Sequence, residues 1–119
     1  MSKPARIPKQ PRVSEAAISR SIMDYLAARH IFALRMNSGT RIGSYKGKNW
    51  AIKMHAPGTA DILAFVNSPL AGLIVYWLEV KAADGKQSEL QKSFQAQVEA
   101  EGHRYCMVRS VEDVEQALK

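Results

Sequence analysis

A chain of 119 residues, 46% of them hydrophobic, can pack one domain and is too short for two. Its single cysteine, Cys106, excludes an intrachain disulfide. No apolar run approaches the roughly 18 residues of a membrane span, and the basic start lacks the apolar stretch of a secretory signal, so a soluble, intracellular, cytoplasmic protein is expected. The net charge of +6 is unevenly spread: residues 1–53 hold eleven Lys or Arg against two acids, and residues 54–119 hold six against nine, which points to a polyanion as partner of the first half.

In chain order, residues 1–13 set three prolines among four basic residues. Proline forbids helix there, so this segment reads as a flexible basic arm ahead of a domain over 14–119. Ser14 is placed as an N-cap with Glu15 in the first turn, and Ile18, Ile22, Tyr25 and Leu26 follow at helical spacing, predicting a helix over 15–29. Residues 31–37 read as a strand. Residues 38–60, rich in Gly, Ser and Lys, carry no firm assignment beyond a loop or short hairpin. Asp61 opens a strand that runs to the turn signal Asn67-Ser68-Pro69. The apolar run of residues 73–81 predicts a central strand covered on both faces. Ser88 and Gln91 form a capping box for a helix over 89–101, with Leu90, Phe94 and Val98 on one face and Gly102 ending it. A strand over 103–108 and a last helix capped by Ser110 complete the order αβββαβα. The strand–helix–strand step predicts a parallel pair, so the fold class is α/β with a mixed central sheet flanked by helices.

Alternation along a strand puts Glu79 and Lys81 on one face, with Val80 pointing away. Adjacent strands lie about 4.8 Å apart, so Asp61 and Glu79 can share a cation if their strands pair. A hard cation held by one or two carboxylates, with a lysine beside it, is what phosphodiester hydrolysis needs. The same residues also suit an ordinary strand end with Glu79 and Lys81 as an exposed pair.

The surrounding motifs, taken in order, are Ser14-Glu15, Arg35-Met36-Asn37-Ser38-Gly39, Gly58-Thr59-Ala60-Asp61-Ile62-Leu63, Leu78-Glu79-Val80-Lys81, Gly85-Lys86-Gln87-Ser88-Glu89-Leu90-Gln91, Gly102-His103-Arg104-Tyr105 and Val108-Arg109-Ser110. Together they resemble the VRR-NUC domain, the virus-type replication-repair nucleases of the PD-(D/E)XK superfamily, over about residues 14–112 and with a restriction-endonuclease-like core. The resemblance implies Asp61 and Glu79 as ligands of Mg²⁺ (Mn²⁺ as substitute), with the Val80 carbonyl as a third. It implies Lys81 as the catalytic lysine, Glu15 approaching the metal from the first helix, and Gln91 supporting the lysine or the water. The sequence departs from the family pattern at Ala60, where a proline is usual.

Arg35, Arg41, Lys46, Lys48 and Lys53, with Asn37, lie in a stretch without acids and are the expected DNA-binding residues, since cations meet phosphates without reading sequence. The expected activity is a metal-dependent, structure-selective DNA endonuclease. The resemblance further implies branched DNA as substrate, since standalone members of this size resemble Holliday-junction resolvases and can pair as homodimers. The alternatives are a flap or nicking nuclease, an exonuclease, or a DNA-binding module without turnover.

Overall fold

The computed structural model describes residues 12–36, 40–53 and 57–119. Most of the arm and Asn37 therefore lie outside the described residues. Helix α1 spans Glu15–Ala28, and strand β1 spans Phe32–Arg35. Strands β2 (Thr40–Tyr45) and β3 (Lys48–Lys53) follow, then β4 (Ile62–Ser68) and β5 (Gly72–Val80). Helix α2 (Glu89–Ala100), strand β6 (Arg104–Val108) and helix α3 (Val111–Ala117) complete the chain.

The main sheet has four strands in the order β1-β4-β5-β6, antiparallel except for the parallel β5–β6 pair. This is the mixed α/β sheet in αβββαβα order that the sequence predicts. The β2–β3 hairpin is an addition, a two-stranded sheet of its own over the unassigned stretch, turning at Lys46 and Gly47 with φ of 51° and 76°.

One face of the sheet carries the main core. Ile62, Ala64, Tyr76, Leu78 and Val80 alternate inward to meet Ile18, Ile22 and Leu26 of α1 and Val114 of α3. Ile22, Leu26, Ile62 and Leu78 are fully buried, each side chain contributing about 1.5–3 kcal/mol by leaving water. The opposite face is covered by α2 over its β5–β6 half. There Trp77, Phe94 and Tyr105 pack ring against ring around Val98 and Ala60. Leu90, expected on the buried face of α2, is instead 58% exposed, while Phe94 and Val98 of the same face meet the sheet. The β1–β4 half of this face is open: Phe32 and Leu34 of β1 and Leu73 of β5 are exposed, with the Phe32 and Phe65 rings 5.5 Å apart.

The caps follow the sequence closely. Ser14, Ser88 and Ser110 each accept a backbone N–H three residues on, and both halves of the capping box at Ser88 and Gln91 are formed. Among the described residues no helix is long and apolar enough to cross a membrane.

Candidate active site

The site forms where β4 begins and β5 ends. Ile62 pairs with Leu78, so the next register positions are Asp61 and Glu79, facing each other beyond the last β4 rung. Asp61 sits one residue before β4 rather than opening it, yet it stays in the ladder. Its N–H donates to the Leu78 carbonyl at 3.1 Å, and its carbonyl accepts the Met36 N–H at 2.6 Å. Its Oδ2 accepts the Val80 N–H at 2.8 Å. The N–H and C=O of one strand residue leave by the same edge, so the Val80 carbonyl also projects toward Asp61.

Glu79 is 3% exposed, which excludes the surface-pair reading. Its Oε1 accepts from Gln91 Nε2 at 2.7 Å and lies 3.8 Å from Lys81 Nζ. Its Oε2 is buried and meets no hydrogen-bond donor among the described residues. Burial above all, then the neighbouring Asp61 charge, pushes the Glu79 carboxyl up to about 8 against the pull of Lys81. Asp61 is raised as well, by burial first, with the Val80 N–H pulling the other way and the Glu15 charge adding to the rise.

Gln91 meets Glu79, not the lysine: its Nε2 donates to the carboxylate while its Oε1 accepts the Ser88 N–H at 2.8 Å. The capping contact and the contact with Glu79 are held by one side chain. Glu15, first residue of α1, turns its Oε1 to the Ala82 N–H at 3.4 Å. It is close enough to Asp61 and Glu79 to raise both, yet among the described residues no three His, Cys, Asp or Glu side chains form a ready ligand set.

A buried carboxylate and a half-buried one against one lysine leave surplus negative charge and, among the described residues, an acceptor without a donor. A proton or a cation satisfies that arrangement, and magnesium commonly needs no more than one or two carboxylates. The donor set fits the ion.

Of the expected DNA-binding residues, Arg35 lies at this edge and the others among the described residues lie on the β2–β3 hairpin. Arg35 ends β1 opposite Ile62 and is exposed. Lys46 and Lys48 are exposed at the hairpin turn, and Arg41 and Lys53 lie on its two strands, in neighbouring register positions.

Sequence reasoning missed two supports. Gly58, with φ of 89°, lies so close to α2 that a Cβ there would sit 2.4 Å from the Leu90 carbonyl oxygen. Arg109 binds the turn after Lys81 through the Ala82 and Gly85 carbonyls. The glycine was visible before Asp61, but its neighbour on α2 was not.

No protein-family model matches the chain, and no curated protein or solved structure matches it either.

Proposed function

We propose that this protein is a metal-dependent deoxyribonuclease of the VRR-NUC type, hydrolysing phosphodiester bonds at the Asp61–Glu79–Lys81 site. The observation that carries the reading is Glu79 Oε2, buried and, among the described residues, without a donor, beside a second carboxylate. Such a pair would repel a phosphate backbone unless a cation lay between them.

Asp61, Glu79 and the Val80 carbonyl would hold Mg²⁺ or Mn²⁺, which when bound supplies a Lewis acid for the phosphate oxygens and lowers the pKa of a bound water. The chain's residues do the rest. Lys81, with its side chain 14% exposed, presents an ammonium at the carboxylate edge to offset phosphate charge and orient a nucleophilic water. Gln91 fixes one Glu79 oxygen, leaving the other directed into the site. The Val80 N–H fixes Asp61 in the same way.

Arg35 gives the substrate a cation beside this edge, the exposed hairpin lysines Lys46 and Lys48 add two more to the surface, and DNA is the proposed partner. Branched DNA cut by a homodimer is the proposed substrate arrangement, because a two-fold pair of sites matches a four-way junction. The open apolar half of the sheet, with Phe32, Leu34 and Leu73 exposed, offers such a pair its contact.

The test is cleavage of a labelled four-way junction, a flap, a linear duplex and a single strand, with Mg²⁺ or Mn²⁺ against EDTA. Metal-dependent cutting is expected, with the junction preferred. Salt-sensitive binding without cutting under any metal condition would leave a DNA-binding module in its place.

A further inference from the structure

Lys81 closes the last rung of the parallel pair, its N–H donating to the Val108 carbonyl at 3.0 Å. Beyond that rung the two chains part, and an extended lysine on a free strand end would sample many rotamers. Here the turn over residues 82–85 folds back on it. The Gly85 N–H donates to the Ala82 carbonyl at 3.0 Å. The bare Gly85 backbone then lies on the lysine stem, where a Cβ would stand 3.2 Å from Lys81 Cδ and 3.3 Å from Lys81 Cβ.

The guanidinium of Arg109, the residue after β6, bridges this turn. Its Nη1 donates to the Ala82 carbonyl and its Nη2 to the Gly85 carbonyl at 2.8 Å. The arginine is itself rooted, since its N–H donates to Asp113 Oδ2 at 2.8 Å. A planar fork that cannot lose its proton is suited to holding two carbonyls at once; an ammonium is not. Glu15 on the Ala82 N–H and the exposed Arg12–Asp84 pair at 2.7 Å hold the same turn from its other side.

We propose that Arg109 is a positioning residue for Lys81, clamping the 82–85 turn so that Gly85 confines the lysine stem. The importance of this for cleavage rests on Lys81 being the catalytic lysine, as proposed above. Arg109 places one donor from each terminal nitrogen on a backbone carbonyl and acts through the turn rather than on substrate.

The experiment compares wild type, Arg109→Ala and Arg109→Lys by two independent readouts. The first needs no activity: hydrogen exchange at the Gly85 amide, and the rate at which an acetylating N-hydroxysuccinimide ester labels Lys81, followed by mass spectrometry. The alanine variant is expected to raise both at least several-fold, with Arg109→Lys showing the same direction while keeping charge and bulk. The second is single-turnover cleavage of a four-way junction at saturating protein. A drop of about 10- to 100-fold is expected, the scale on which small misplacements act, with DNA affinity within about twofold of wild type. Exchange and labelling unchanged in both variants would overturn the proposal. So would lost DNA affinity with an unchanged saturating rate, which would make Arg109 a phosphate contact. If wild type cuts nothing, the nuclease reading fails while the labelling arm still decides whether Arg109 confines Lys81.

Discussion

Asp61, Glu79 and Lys81 differ in what their loss should do. Asp61→Asn keeps an oxygen for the Val80 N–H, and Lys81→Ala removes the stem that Gly85 covers together with the ammonium 3.8 Å from Glu79, leaving the core strand positions untouched. Both variants are expected to fold, by circular dichroism, and to lose at least about 100-fold in cleavage, within the range a positioned proton-transfer group supplies. Normal cutting by either would sink the site assignment. Glu79 also makes a pH prediction. Its folded pKa of about 8 lies above the ordinary 4.5, so the folded state binds the extra proton between those values. In EDTA, stability should therefore be highest below about pH 4.5 as far as this group is concerned, and be lost as pH rises through about 8. Denaturant titrations across that window should show the decline in wild type and a flatter profile in Glu79→Gln. The pairing of these residues was legible from sequence, because strand alternation and a turn between two apolar runs fix which side chains face each other. The partners of Gln91 and Glu15 were not, since each depends on where a helix lies over the sheet.

At the level of elements, caps and strands were legible because they depend on near neighbours. Ser14, Ser88 and Ser110 find their N–H groups three residues away, and the apolar run of β5 can be satisfied only in the middle of a sheet. The hairpin over 40–53 was legible only as one of two readings, loop or hairpin: Gly, Ser and Lys weaken its alternation, and its turn is made by Lys46 in the left-handed region ahead of Gly47. The exposure of Leu90 was hidden for a related reason, as helical spacing defines a face but not how far the partner sheet extends. Two substitutions test the element contacts. Gly58→Ala should cost at least about 2 kcal/mol in thermal or denaturant unfolding, since it combines left-handed strain with a backbone clash against Leu90. His30, with φ of 59°, ends α1 where glycine is usual, and His30→Gly should stabilise the protein by about 0.5–1 kcal/mol without altering cleavage.

For the molecule as a whole, the two sides of the sheet are unequal. One is closed by α1 and α3, while the other is closed by α2 over β5 and β6 only. The remaining strip of Phe32, Leu34 and Leu73 is apolar and continuous in register with Phe65 and Leu63. Water contact along such a strip is costly, and pairing through it removes that cost. Phe32→Lys combined with Leu73→Lys is expected to turn a dimer into a monomer by light scattering, leaving the secondary structure unchanged. A wild type that is monomeric at all concentrations would remove the two-fold argument for junction DNA and leave the site itself untouched. The charge asymmetry of the chain was readable from the start, but its geometric meaning was not. Arg35 reaches the site edge because β1 pairs with β4, a contact between segments far apart in sequence.

The Gln91 side chain has one amide nitrogen and one amide oxygen, and both are engaged: one on the Glu79 carboxylate, the other on the first turn of its own helix. Its orientation is therefore fixed by its partners, and it forms a single circuit between helix terminus and carboxylate. That makes Gln91 a built-in spectroscopic probe. Its side-chain NH₂ resonances should move as Glu79 gains a proton or a cation, whereas those of Gln97, further along the same helix, should stay in place.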